Sequence, residues 1–281
     1  MTIIADSGST KTTWIEVESG NKIVTEGLNP HFTGDETFLN VCNKVRQQFS
    51  ILNSQFSIYF YGAGCGNNAQ RHRVQSLLAS DLMADNVDVE TDMLGACRAV
   101  SGDKPSLVGI LGTGSNACYY DGRQIVYQPV STGFILGDFG SANHVGRRLL
   151  QDYLTGVMPR NLISRFHDAY PMTNDEFMEA VYHRPNPNRF LASLARFAVE
   201  HISNDYCSSE ILVSLYDWYT YQLEGLRKTS HCDVLNLVGG FAVHVKPLLD
   251  VVAKDYGLTI KNVIADPIGG LREYHLKHNT L

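Results

Sequence analysis

The sequence predicts an α/β protein built twice over, in two halves that each open with a three-strand meander and continue as alternating helices and strands. Three observations predict it. Short apolar runs alternate along the chain with segments of helical period. The order of elements restarts after the loop Gly102-Asp103-Lys104-Pro105, a composition suited to a boundary. In both halves the first hairpin turn is rich in glycine and hydroxyls, "DSGSTKT" at 6–12 and "GTGSN" at 112–116.

In the first half, alternation marks strands at 2–5 and 13–17, a turn at Ser19-Gly20-Asn21 and a third strand near 23–25. Between 35 and 49, Phe38, Leu39, Cys42, Val45 and Phe49 recur at helical spacing, with Asp35 placed as N-cap. Strands at 58–61 and 87–91 and helices at 69–82 and 93–100 follow, giving the order βββαβαβα. The second half reads as strands at 107–111, 117–120 and 124–127, then a long helical stretch from 141 to 228 broken near Pro159, Pro171 and Pro185. A strand at 234–238, a helix at 242–256, a strand at 259–265 and a last helix from Leu271 complete it. The expected domains are residues 1–105, joined by the C-terminal helix of about 268–281, and residues 106–267.

A chain of 281 residues that is 44% hydrophobic can bury the cores of two ordinary domains. Its net charge of -6 argues against nucleic acid or a membrane surface as partner, since both require clustered Lys and Arg, so small solutes are the expected ligands. With no secretory leader pattern and no apolar run of spanning length, the expected location is the cytoplasm. The six cysteines show no CxxC pair and no zinc-finger spacing, and read as buried thiols.

Glycine-rich turns present backbone N–H groups without bulky side chains and can form anion nests. Facing each other across a cleft, the two turns could hold a polyphosphate, with Ser7, Gly8, Ser9, Thr10 and Lys11 on one side and Gly112, Thr113, Gly114 and Ser115 on the other. Taken singly, each is equally a tight hairpin turn. Neither is a Walker loop, because Lys11 is not preceded by glycine and the loops lead into strands. "GAGCG" at 62–66 lacks the dinucleotide spacing and reads as a flexible turn. Three carboxylates sit at strand ends or in glycine-rich turns: Asp6, Asp92 and Asp138. Strand C-termini are where α/β sheets bind ligands, although Asp92 and Asp138 could also cap the helices that follow. Asp6, on a central strand, bears a desolvation cost unless it meets donors or a cation such as phosphate-bound Mg²⁺. "LVGGFAVHV" at 237–245 is a strand, a Gly239-Gly240 turn and a helix start, open to a flat adenine ring or simply a strand–helix connection. Phosphoryl transfer needs a polyphosphate cradle, an acid near Mg²⁺ and a carboxylate to accept an alcohol proton; a candidate for each is present.

In that order, "DSGSTKT", "TDMLGA", "GTGSN", "GDFGSA", and "VGG" with a terminal "PIGGL", the chain resembles the BadF/BadG ATPase family, in particular its N-acetylglucosamine kinase-like members. The resemblance spans nearly the whole chain and implies two ribonuclease H-like, actin-like ATPase domains with a nucleotide and sugar cleft between them. It implies Asp92 as catalytic base toward the sugar 6-hydroxyl, Thr10 and Thr113 as ATP contacts, and Gly240 in the adenosine loop. Asn29 or its neighbour His31 matches a sugar-binding turn; Asn116, Ser131, Thr132, Gly133 and Asp138 match sugar contacts, and Asp6 a magnesium site reached through water. Phe139 stands where the family has Glu, which bears on the choice of sugar.

The expected activity is ATP- and Mg²⁺-dependent phosphorylation of an amino sugar, with N-acetylglucosamine ahead of N-acetylmuramic acid and glucosamine. Residues 101–106 are the expected hinge for closure on the sugar, and the resemblance implies a homodimer. The competing readings are a nucleotide- or sugar-binding regulator without turnover and a BadF-type ATPase driving a partner through an iron–sulfur cluster. The latter is disfavoured because no cysteine lies between Cys118 and Cys207.

Overall fold

The computed structural model describes residues 1–8, 10–51 and 55–278. The chain forms two units, Met1–Lys104 with Asp266–Leu281, and Pro105–Ala265.

In the first unit, strand β1 (Thr2–Ser7) runs antiparallel to β2 (Lys11–Glu16), and β2 antiparallel to β3 (Lys22–Glu26). Helix α1 (Asp35–Gln48) leads to β4 (Ser57–Gly62), which adds in parallel to the free side of β1. Helix α2 (Asn68–Leu82) leads to β5 (Asn86–Thr91), parallel to β4, and α3 (Asp92–Ser101) follows at once. The sheet order β3-β2-β1-β4-β5 puts β1 in the middle. Both faces of β1 are covered, so its apolar run is continuous: Ile3 and Ala5 pack with Trp14, Phe38 and Phe60, while Ile4 joins Ile15 and Tyr61 on the other face. Helix α1 buries Phe38, Val41, Cys42 and Val45, the spacing of one helical face. Its N-cap is Gly34, not Asp35; Asp35 occupies the first helical position, where its charge suits the helix dipole.

The second unit repeats the plan. Strands β6 (Ser106–Leu111), β7 (Ser115–Tyr120) and β8 (Ile125–Tyr127) form the antiparallel meander. The helical region comprises α4 (Gly133–Leu136), α5 (Ala142–Thr155), α6 (Arg160–Ala169), α7 (Asn174–Tyr182), α8 (Pro187–Glu200) and α9 (Asp205–Trp218). A π-helical turn at Tyr219–Leu223 and α10 (Glu224–Ser230) end it. Breaks occur at the three expected prolines, and a further one before α9 has no proline: Asn204 caps α9 by accepting the N–H groups of Tyr206 and Cys207. Strand β9 (Val234–Val238) then pairs parallel with β6. The expected helix at 242–256 is two helices, α11 (Gly240–His244) and α12 (Lys246–Asp255), because Pro247 in the first turn of α12 lacks the N–H that would continue α11. Strand β10 (Thr259–Ile264) pairs parallel with β9. Read from the meander edge, the order β8-β7-β6-β9-β10 matches that of the first unit strand for strand.

The chain then returns to the first unit as α13 (Ile268–His278), which starts three residues before the expected Leu271 because Asp266 Oδ1 accepts the Ile268 N–H at 3.0 Å. This helix crosses α3 closely: a Cβ on Gly270 would lie 2.3 Å from the Ala99 carbonyl oxygen. Cys42, Cys65, Cys97, Cys118 and Cys207 are buried. No helix among the described residues is long and apolar enough to cross a membrane.

Candidate active site

The first glycine-rich turn joins β1 to β2. Gly8 N–H closes it onto the Lys11 carbonyl at 3.0 Å. Ser7 is fully buried, its hydroxyl 2.8 Å from Thr12 Oγ1 and accepting the Leu28 N–H at 3.0 Å, so it shapes the turn from beneath. Thr10 and Lys11 are the exposed members, and Ser9 lies outside the described residues. Lys11 Nζ meets Asp266 Oδ2 at 3.2 Å.

Asp6, Asp92 and Asp266 gather below this turn. Asp6 ends the face of β1 that begins with Ile4, and in register stands beside Tyr61 of β4. Burial, then the negative charges of Asp266 and Asp92, push its carboxyl up to about 8 against the opposing pull of Lys11. No described residue donates a hydrogen bond to it. Asp92 is the first residue of α3, and Thr91 is the cap, accepting the Leu94 N–H at 3.1 Å. The carboxylate of Asp92 accepts the Met93 N–H at 2.9 Å, and burial holds its pKa above the ordinary carboxylate value. A carboxylate at a strand C-terminus, partly covered and in no ion pair among the described residues, is chemically fit to take a proton from an alcohol.

Asn29 and His31 lie in the same unit. Asn29 is buried and its Oδ1 accepts the His31 N–H at 3.0 Å; His31 is exposed. Both pack on Gly64, where a Cβ would lie 2.4 Å from Asn29 Oδ1. The "GAGCG" stretch, read from the sequence as flexible, is thus the floor under this turn.

In the second unit the turn at 112–116 joins β6 to β7. Gly112 N–H donates to the Gly114 carbonyl at 3.0 Å, and Thr113 is exposed. Asp138 is not a helix cap; Ser141 caps α5. Instead Asp138, in the left-handed region at φ 52°, turns its carboxylate onto the turn at 112–116. Oδ1 accepts the Ser115 N–H at 3.2 Å and Oδ2 the Asn143 amide at 2.9 Å, while Asn143 also donates to the Thr113 carbonyl at 2.8 Å. Burial raises the Asp138 pKa, with the Ser115 N–H, Asn143 and Arg147 opposing. Gly114 permits this approach, since a Cβ there would lie 2.8 Å from Asp138 Oδ2. Asn116 accepts the Ala117 N–H and the Gln128 amide. Ser131, Thr132 and Gly133 are exposed, Thr132 standing just before α4. Gly239, at φ 129°, passes so close to β6 that a Cβ would lie 2.2 Å from the Leu111 carbonyl oxygen, and Gly240 is open to solvent. Phe139 packs inside this unit, stacked on Tyr221 at 4.5 Å and edge-on to His144 at 5.2 Å.

Sequence reasoning missed Asp266 and Asn143. An acid at the C-terminal end of a strand is the signal that singled out Asp6 and Asp92, and Asp266 after β10 carries it too. Asn143 carries no such signal.

No protein-family model matches the chain, and no curated relative does. Among solved structures, a protein described as a putative N-acetylglucosamine kinase from Porphyromonas gingivalis is 36% identical, with a TM-score of 0.91 over 100% of this chain and 99% of that one. The chain belongs to that N-acetylglucosamine kinase-like family, and its fold is the two-domain actin-like ATPase fold. A second putative N-acetylglucosamine kinase, from Chromobacterium violaceum, shares the fold at 16% identity and TM-score 0.76, covering 97% of this chain and 98% of that one. A ROK family glucokinase from Streptomyces griseus, solved with glucose and AMPPNP, shares it at 13% identity and TM-score 0.60 over 97% of each chain. In this sugar-kinase family member the two glycine- and hydroxyl-rich turns stand at equivalent places of two repeated sheets, after β1 and after β6.

Proposed function

We propose that the protein is an ATP-dependent amino-sugar kinase that phosphorylates N-acetylglucosamine at its 6-hydroxyl. The observation that carries the reading is Asp92: a partly covered carboxylate with a raised pKa, near Asp6 of the first strand, in a chain 36% identical to a putative N-acetylglucosamine kinase. The five ordered motifs support the narrower BadF/BadG assignment.

In this reading Asp92 is the base, the turns at 6–12 and 112–116 are phosphate turns, and Gly239-Gly240 belongs to the adenosine loop. Asp92 accepts the sugar hydroxyl proton as the oxygen attacks the γ-phosphorus. The bond from that phosphorus to the β-phosphate oxygen breaks, and ADP leaves with the electron pair. Thr10, Lys11 and Thr113, all exposed, reach the phosphates. Asp138 and Asn143 also brace the second turn. Asn29, His31, Asn116, Ser131 to Gly133 and Asp138 are the proposed sugar contacts.

Magnesium fits the residues present. Among the described residues no group of three or more His, Cys, Asp or Glu side chains is arranged to hold a metal ion. Asp6, raised to about 8 by burial and negative neighbours, is a carboxylate that a cation would relieve, so it would hold the ion together with the nucleotide. The ion supplies charge neutralisation on the phosphates.

ADP release measured across a panel of sugars tests the reading. Stimulation by N-acetylglucosamine is expected, and stimulation by glucosamine or N-acetylmuramic acid instead would replace the acceptor. Asp92→Asn should abolish transfer with ATP binding retained, and near-normal turnover in that variant sinks the assignment of the base.

A further inference from the structure

We propose that Gln222 is a positioning residue that turns the Ser115 hydroxyl into a hydrogen-bond donor for a nucleotide phosphate; this rests on the nucleotide-binding reading above. Gln222 lies in the π-helical turn Tyr219–Leu223, directly after α9. Such turns insert an extra residue into a helix and recur at functional sites. The turn is held on both sides: Tyr219 stacks on Tyr256 at 3.5 Å, nearly parallel, and Tyr221 stacks on Phe139 at 4.5 Å.

Trp218, the last residue of α9, anchors the arrangement. It is 1% exposed, and it fills space left by two glycines, since a Cβ on Gly109 or Gly140 would lie 2.5 or 2.6 Å from it. The indole N–H can only donate, and it meets Gln222 Oε1 at 3.1 Å. That contact fixes the amide. With its oxygen toward Trp218, its NH₂ faces Ser115 Oγ at 3.3 Å. An amide nitrogen can only donate, so Ser115 Oγ accepts and its own proton points elsewhere. The Ser115 backbone N–H is already taken by Asp138. The hydroxyl is therefore the donor Ser115 has left for an anion at the second phosphate turn. The relay runs one way, from indole to amide to hydroxyl, because the indole N–H that starts it can only donate.

The test is equilibrium binding of a nonhydrolysable ATP analogue to Gln222→Met and Gln222→Glu, each made in the wild-type and the Ser115→Ala background. Methionine keeps the volume and removes both hydrogen bonds. A glutamate would accept from both Trp218 and Ser115 and so reverse the hydroxyl. Expected is an increase in Kd of about threefold for Gln222→Met and about tenfold for Gln222→Glu, on the scale of a lost hydrogen bond to a charged group. In the Ser115→Ala background the methionine effect should vanish and the glutamate effect should shrink to charge repulsion alone. Equal losses with and without the Ser115 hydroxyl, or no loss in either, overturn the proposal. Failure of the wild-type protein to bind the analogue overturns the nucleotide reading itself, and shows this before any variant is compared.

Discussion

Replacing Asp6 by Asn should stabilise the ligand-free protein at alkaline pH while destroying its activity. In the folded chain the Asp6 carboxyl stands at about 8, against 3.8 for the ordinary group. The folded state therefore holds a proton there that the unfolded state releases. The stability this contributes is complete below pH 3.8 and is lost as pH rises through about 8, where the charged carboxylate must remain near Asp266 and Asp92. At about 1.4 kcal/mol per pH unit, the interval corresponds to roughly 6 kcal/mol for a carboxylate wholly cut off from water. Asp6 is partly exposed, and solvent screening reduces the expected effect to ~2 kcal/mol, which for a chain of this size shifts Tm by about 4 °C. Thermal melts of both proteins at pH 5 and pH 9 measure it: Asp6→Asn should gain several degrees at pH 9 and little at pH 5. Adding Mg²⁺ with ADP should narrow the gap by stabilising only the wild type. An Asn variant that is equally or less stable at pH 9 would refute the idea that Asp6 is a strained, cation-seeking acid.

Other expectations follow from single contacts. Gly270→Ala places a methyl 2.3 Å from the Ala99 carbonyl oxygen, backbone that cannot swing aside, and should destabilise the first unit by about 3 kcal/mol in chemical denaturation. Gly114→Ala pushes against the Asp138 carboxylate at 2.8 Å; nucleotide affinity, read by titration calorimetry, should drop by about tenfold as the Ser115 N–H loses its acceptor. The raised Asp92 pKa places the acid limb of kcat/KM above the ordinary carboxylate range, activity falling as the base becomes protonated; a rate that stays flat down to pH 4 contradicts its role. Phe139→Leu should cost about 1 kcal/mol of stability through lost stacking on Tyr221, without reordering the sugar preference.

That last expectation departs from the sequence reading. A ring in place of the family's Glu looked like a change beside the sugar, because position along a motif says nothing of which way a side chain turns. In the structure the ring is engaged by Tyr221 and His144. At Asp138 the structure adds a role to the one its place in "GDFGSA" suggests: its oxygens brace the neighbouring turn, from a left-handed backbone that no residue pattern announced.

What the sequence determined by itself is the repeated plan. Period-two alternation and helical spacing are local properties, and they located the strands of both sheets, the proline-broken helices and the two turns in which glycine and hydroxyls cluster. Asp6 and Asp92 were legible for the same reason, as acids at the ends of apolar strands. Tertiary structure alone decided what those groups face. The approach of Asp266, 260 positions along the chain from Asp6, raises that carboxyl and engages Lys11. Likewise the relay from Trp218 through Gln222 to Ser115 joins residues more than a hundred positions apart. Charge and hydrogen-bond direction act over a few ångströms of space, so they become fixed only when folding brings distant segments together.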